Sequence, residues 1–169
     1  MKKDLAIIFG LFIVVVALMV FGRSYTSVGF INQASPSSGQ TVRTSGLIPL
    51  SVKTLNIDAI IASKASDRKK GLEGRESLPL NQAMLFVFDI KGKYQFWMKD
   101  MNFAIDIIWI DENKRIVDII ANVPPEPGKS DKQLTRYSSR GDALYVLEIN
   151  AGLSVLHGLS IGDQVNFSL

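Results

Sequence analysis

From Ile48 onward the chain is divided into short apolar runs, each about as long as a β-strand and each followed by turn-forming residues. Runs of this length and spacing are typical of strands. We predict strands over residues 48–54, 57–62, 84–88, 94–99, 103–111, 115–123, 143–149 and 164–167. Two short helices are predicted, over 66–70 and 151–157. The pattern predicts an α+β domain, mainly antiparallel β, with a compact barrel-like core and two short helices.

A polar segment over residues 124–141, PPEPGKSDKQLTRYSSRG, interrupts the strands. Its composition predicts a long loop that is exposed and mobile.

An unbroken run of 17 apolar or glycine residues, Leu5 to Phe21, precedes the strand-rich region. As a helix it would be about 26 Å long, close to the thickness of a bilayer core. We therefore predict a transmembrane signal-anchor over 5–22, with residues 1–4 cytoplasmic because of Lys2 and Lys3. The alternative is a signal that is cleaved on export.

Between this run and the first strand, the composition changes to that of a flexible tether over residues 23–47. Of the 23 residues from Ser24 to Gly46, 16 are Ser, Thr, Gly, Asn, Gln or Pro. Such a segment cannot bury an apolar face. Residues 48–169 are then expected to form a globular domain on the extracytoplasmic side of a cell membrane that the chain crosses once.

Charge and residue content exclude several classes of function. From Ile48 onward the chain has 15 basic and 15 acidic residues, so its basic excess lies in the N-terminal region and nucleic-acid binding is disfavoured. The absence of cysteine excludes disulfides and a cysteine nucleophile. With His157 as the one histidine, a conventional transition-metal site is disfavoured. We expect no metal and no cofactor.

Asp106 is the strongest single candidate for a functional residue, since it lies in a predicted strand whose two faces are both apolar. A buried carboxylate needs a cationic or hydrogen-bonding partner, and the nearby block offers Arg68, Arg75 and Lys99. Asp106 is expected either to form an ion pair that fixes the loop around Arg75 on the barrel, or to bind a ligand or act as a general acid or base.

Gly71 and Gly74 precede Arg75 in a turn that indicates positive φ angles or a close backbone approach. Arg75 either belongs to a tight connection or presents its guanidinium group to an anionic ligand. Further along, Trp97 and Lys99 point to the same side of a predicted strand. They are expected either to pack or to line a groove for planar or sugar-like ligands.

Glu148 is a second acid in an apolar strand, on the face of Leu144 and Val146. Together with Asp106 it offers the two carboxyl groups that a hydrolase uses as acid and base. The sequence does not show whether the two lie side by side.

Several phrases occur in an order that resembles the family catalogued as domain of unknown function 192. The phrases are RKKGLEGRESL at 68–78, AMLFVF at 83–88, FWMKDMNFAIDIIWID at 96–111, IVDIIANVPP at 116–125, ALYVLEINAG at 143–152 and HGLSIGDQVNF at 157–167. The resemblance implies a compact, mainly β, barrel-like domain, commonly behind a signal or anchor. It brings no established catalytic residues. This chain has Glu126 where the family often has cysteine.

These features favour a membrane-anchored extracytoplasmic module that binds a small polar ligand, a glycan or an envelope protein. The predicted surface gathers the ligand-binding candidates Arg68, Arg75, Trp97, Lys99 and Asp106, together with Glu148. The alternative is a hydrolase that uses Asp106 and Glu148 as acid and base. A third interpretation is purely structural, in which these polar residues only stabilise the fold.

Overall fold

The computed structural model describes residues 46–169, which form nine strands and two short helices. The strands are β1 Leu47–Val52, β2 Leu55–Ala62, β3 Gln82–Gly92, β4 Gln95–Phe96, β5 Ile105–Ile110, β6 Ile116–Val123, β7 Tyr137–Ser138, β8 Ala143–Asn150 and β9 Asn166–Phe167. The helices are α1 Ala65–Lys70 and α2 Leu153–Leu156. The predicted α+β class is confirmed, and every predicted strand overlaps an observed one.

Seven strands form one sheet in the order β6-β5-β8-β3-β2-β1-β9, and β4 pairs with β7 in a separate two-stranded sheet. Each pair in the large sheet is antiparallel except β2 with β3, whose parallel pairing requires a crossover that contains α1. A bridge between Arg115 and Gln164 brings together the starts of the two edge strands. The sheet therefore curls on itself, as the barrel-like prediction requires.

Both faces of this curled sheet are buried, because β5 alternates between two apolar clusters. All six residues of β5 are buried. One cluster, which draws on every strand of the large sheet, includes Leu50, Leu85, Ile108, Leu147 and Phe167. The other, which includes residues of the connecting segments, contains Leu72, Phe86, Met98, Ile107 and Trp109. The segments after β2 and β3 thus cover one face of the sheet, and the second cluster lies beneath them.

The segment over 124–141 has more structure than its composition predicts. It contains β7, which pairs with β4, and it buries Leu134 and Ser139. The carboxylate of Glu126 accepts hydrogen bonds from the backbone N–H of Thr135 at 2.9 Å and from its hydroxyl at 2.7 Å. Local polar contacts of this kind order a loop that has few apolar side chains.

Within residues 46–169, no helix has the length and apolar character needed to cross a membrane. The predicted anchor over 5–22 lies outside the described residues, as does all of the predicted tether except Gly46 and Leu47. Leu47 already belongs to β1, one residue before the predicted start of the domain.

Candidate ligand-binding site

A cavity of about 280 Å³ lies between the large sheet and the segments that cover it. Its lining residues are Arg68, Lys69, Lys70, Gly71, Leu72, Glu73, Phe86, Phe88, Tyr94, Gln95, Phe96, Trp97, Lys99, Met101 and Glu148. Four residues predicted from the sequence meet here, namely Arg68, Trp97, Lys99 and Glu148. Arg75 and Asp106 do not line this cavity.

Glu148 provides the one acidic group among the buried residues of the cavity wall. Strand β8 lies between β3 and β5, and Glu148 is directly opposite Met84 on one side and Ile107 on the other. It is 5% exposed. Burial raises the pKa of Glu148 to about 8, and no hydrogen bond or charge within residues 46–169 counteracts this effect. A buried carboxyl group that has no hydrogen-bond partner and lines a cavity marks a candidate functional site.

Five of the residues that line the cavity with this acid are aromatic, namely Phe86, Phe88, Tyr94, Phe96 and Trp97. Phe86 meets Phe96 edge-to-face with ring centroids 4.9 Å apart, and Phe88 stacks on Tyr94. The indole N–H of Trp109 donates to the carbonyl oxygen of Tyr94 at 3.1 Å, which fixes the chain that carries these rings. The wall is therefore held by specific ring contacts before any ligand binds.

Trp97 lies at the open side of the cavity and is 42% exposed. The guanidinium group of Arg136, from the 124–141 segment, lies 3.8 Å from the centre of its ring. Arg136 also donates to the backbone carbonyl of Asp131 at 2.9 Å, and Asp131 forms an ion pair with Lys99 at 3.0 Å. The 124–141 segment thus contacts the edge of the cavity through two of its lining residues.

Basic side chains from α1 and from the segment after β4 surround the mouth. Arg68 donates to the backbone carbonyl of Val87 at 2.9 Å, and its guanidinium carbon lies 5.2 Å from the centre of the Phe88 ring. Lys69 and Lys70 are exposed, and neither forms an ion pair with an acid of the described region. A hydrogen bond and ion pair with Asp131 raise the pKa of Lys99 above its ordinary value. The mouth therefore carries an excess of positive charge.

Gly71 explains how the end of α1 approaches the cavity so closely. Its φ is +50°, and a Cβ atom there would lie 3.3 Å from Cζ of Phe86. Gly74 also has a positive φ, of +72°. The predictions of positive φ for this turn and of a close backbone approach are both confirmed.

Asp106 is completely buried, at 0% exposure, but its partners are backbone amides and not cations. One carboxylate oxygen accepts from the N–H of Asn122 at 2.8 Å and of Gly152 at 3.0 Å. The other accepts from the N–H of Ser154 at 2.8 Å, in the first turn of α2. The predicted ion pair with a basic residue is therefore wrong. Asp106 connects β5 to the end of β6 and caps α2, which has no capping side chain of its own.

Asp106 and Glu148 project to opposite faces of the sheet. Asp106 is paired with Ile149, whereas Glu148 is paired with Ile107, and paired residues on neighbouring strands point to the same face. Because side chains alternate along β5, the two carboxyl groups point away from each other. The structure does not form the acid and base pair that the hydrolase alternative requires.

Arg75 is exposed, and its backbone carbonyl accepts a hydrogen bond from the side-chain amide of Asn102 at 2.9 Å. That contact fits the tight connection considered for the turn. A ligand-binding role for Arg75 stays a prediction.

A wider depression of about 780 Å³ runs along β1 and β9. Most of its polar lining residues, among them Asn56, Asp58 and Asn166, are exposed. Solvated groups of this kind are satisfied by water, so the smaller cavity with the buried acid is the better candidate.

The profile of the DUF192 family, described as "Uncharacterized ACR", matches residues 48–167. The chain belongs to the DUF192 family. The match spans both faces of the sheet and every segment that lines the Glu148 cavity. It confirms the resemblance seen in the sequence, and it brings no established activity. No functionally curated protein matches the chain.

Two solved structures are similar to this DUF192 domain. One is a protein of unknown function from Novosphingobium aromaticivorans, with 28% identity and a TM-score of 0.64 over 71% of this chain and 84% of that one. The other is described as a "putative transcription regulator" from Sinorhizobium meliloti, with 27% identity and a TM-score of 0.63 over 72% of this chain and 92% of that one. Both support the fold.

Sequence reasoning missed the aromatic residues of the cavity, among them Phe86, Phe88 and Tyr94. The signal was present in β3, where Met84, Phe86 and Phe88 alternate on one face. Recognising it required the register that places Met84 beside Glu148.

Proposed function

We propose that the domain is a binding module that takes a small polar organic ligand into the Glu148 cavity. The observation that carries the proposal is the buried Glu148 carboxyl group, which no described residue pairs or hydrogen-bonds and which faces aromatic walls. An unpaired buried acid reduces stability, and a ligand that supplies the partner would recover this energy.

The size and composition of the cavity agree with this role. Ligand sites commonly have apolar and aromatic walls with a few polar groups that fix orientation. At about 280 Å³, the cavity is just below the usual range for drug-sized molecules, which favours a smaller ligand.

Trp97 provides a direct test, because it lines the cavity whereas Trp109 is buried beneath it. The two indole N–H signals of the ¹⁵N-labelled full-length chain are assigned with Trp97→Phe. The chain is then screened against organic cations, anions, zwitterions, neutral heterocycles and sugars. We expect one class to shift the Trp97 signal much more than the Trp109 signal.

Glu148→Gln keeps the shape of the acid and removes its charge, and Glu76→Gln makes the same change at an exposed position. We expect only the first variant to weaken binding. A screen in which no compound class moves the Trp97 signal would contradict the proposal.

We also propose that residues 5–22 anchor this module in a membrane, with residues 23–47 as a tether and the domain on the extracytoplasmic side. The support is the 17-residue apolar run behind Lys2 and Lys3. An envelope protein is then a further possible partner of the domain.

Because the chain has no cysteine, one introduced thiol reports its location without background. Ser66→Cys in intact cells is expected to react with a membrane-impermeant maleimide, and the chain is expected to stay with membranes after carbonate extraction. A mature N-terminus near Ser24 would support the cleaved signal instead. No labelling before cell lysis would overturn the extracytoplasmic location.

The charge of the domain does not favour a role in binding nucleic acid. With 15 basic and 15 acidic residues from Ile48 onward, the domain lacks the charge excess that phosphate backbones attract.

A further inference from the structure

We infer, on the basis of the proposed binding function, that the cavity selects a small zwitterion whose ammonium end contacts Glu148 and whose anionic end lies at the basic mouth. The juxtaposition that carries this inference is an acid at the buried end of the cavity and four cationic side chains, Arg68, Lys69, Lys70 and Lys99, around the same cavity.

The buried end of the cavity has two features that an ammonium group requires. Glu148 offers a carboxyl group without a partner, and the faces of Phe86, Phe96 and their neighbours carry partial negative charge. The wall already holds one cation in this way, since the Arg68 guanidinium carbon lies 5.2 Å from the centre of the Phe88 ring. An ammonium end is therefore stabilised both by the acid and by the rings.

The mouth of the cavity favours an anionic group. Lys69 and Lys70 have no acidic partner in the described region, and the pair of Lys99 with Asp131 is exposed, where such pairs contribute little. Glu73 is the one acid of the mouth. A simple cation would be repelled here, and a simple anion would leave Glu148 without a partner. A zwitterion satisfies both ends.

Binding of an ammonium group requires Glu148 to give up its proton to solvent, and this proton release distinguishes ligands that carry an ammonium group from anionic and neutral ligands. The groups that face the cavity from the surrounding elements are Arg68, Lys69, Lys70, Glu73, Tyr94 and Lys99. None of these side chains is a histidine, the residue type that ordinarily titrates between pH 5 and 8. His157, the one histidine, hydrogen-bonds with Thr54 and does not line the cavity. A rise in affinity between pH 6 and 8 would therefore report Glu148.

The test uses two sets of matched probes with the full-length chain and the Trp97 indole signal. The first set is glycine betaine, choline and 3,3-dimethylbutanoate, in which the second lacks the carboxylate and the third has carbon in place of the charged nitrogen. The second set is phenylalanine, phenethylamine and 3-phenylpropanoate. In at least one set, we expect the zwitterion to bind about tenfold more tightly than either of its two analogues, which corresponds to about 1.4 kcal/mol.

The affinity of that zwitterion is expected to rise about fiftyfold from pH 6 to pH 8, because the fraction of ionised Glu148 rises in that proportion. Glu148→Gln should remove this dependence, whereas Glu76→Gln should retain it. Lys70→Gln should weaken binding of the zwitterion but not binding of the cation. Lys132→Gln, at an exposed lysine that does not line the cavity, should change neither affinity.

A zwitterion can be a free solute or the headgroup of a lipid, and competition distinguishes the two sources. Displacement of the bound probe by phosphatidylcholine or phosphatidylethanolamine vesicles would assign the site to headgroups, and no displacement would assign it to free solutes.

The inference is overturned if the nitrogen-free or the carboxylate-free analogue binds as tightly as its zwitterion in both sets, or if the affinity of the zwitterion falls toward pH 8. It is also overturned if other compound classes move the Trp97 signal and neither zwitterion does. That result would leave the binding proposal intact, whereas the absence of binding by every class would refute both.

Discussion

Glu148→Gln should stabilise the protein at neutral pH, because glutamine resembles the protonated acid. The pKa of Glu148 is raised by burial from 4.5 to about 8. Below pH 4.5 both the folded and the unfolded chain keep the proton, and the acid costs no ionisation energy. Between pH 4.5 and 8 the unfolded chain ionises while the folded chain does not, so stability of the native protein falls as pH rises.

The size of the effect follows from the distance between these two pKa values. At about 1.4 kcal/mol per pH unit, the loss reaches about 3 kcal/mol at pH 7 and about 5 kcal/mol above pH 8. Glu148→Gln should recover most of this energy at pH 8 and almost none at pH 4. Glu76→Gln, at an exposed carboxyl group, should recover little at either pH.

Urea unfolding followed by tryptophan fluorescence measures these differences, since Trp109 is fully buried in the folded domain and becomes exposed on unfolding. The free energy of unfolding is compared for the native protein and both variants between pH 4 and 8.5. If Glu148→Gln were less stable than the native protein at pH 8, Glu148 would be ionised and paired in the folded state. No ligand would then be needed to supply a partner for this acid.

Three further substitutions test the surroundings of the cavity. Asp106→Asn removes one charged acceptor from three backbone N–H groups, and should cost about 3 kcal/mol in thermal or urea unfolding without shifting the cavity signals. Gly71→Ala should lower the free energy of unfolding more than Gly128→Ala. Both glycines have a positive φ, but only at Gly71 would a Cβ atom lie 3.3 Å from Phe86. Equal losses of stability would contradict the close approach. Arg136→Ala should increase acrylamide quenching of Trp97, because the guanidinium group lies 3.8 Å from the centre of its indole ring. The stability loss should be about 1 kcal/mol or less. Unchanged quenching would show that the contact does not form in solution.

The positions of the strands were readable from the sequence because apolar runs and turn residues are local signals. The structure of the loop over 124–141 was harder to predict from the sequence, since its order comes from contacts such as those of Glu126 with Thr135, nine positions away. The cavity depends on still longer distances along the chain. Trp97 and Glu148 meet only because β8 pairs between β3 and β5, which no local pattern specifies.

Asp106 and Glu148 show why the register decides function in a sheet like this one. Both are acids in strands with apolar residues on either side, so the sequence around each one predicts a buried carboxyl group. The pairing of Asp106 with Ile149 directs one carboxylate toward three backbone N–H groups, which stabilise its charge. The pairing of Glu148 with Ile107 directs the other toward aromatic rings, where its pKa rises to about 8. A shift of one residue between β5 and β8 would place either acid on the other face, so the register separates a structural carboxylate from one that is free to meet a ligand.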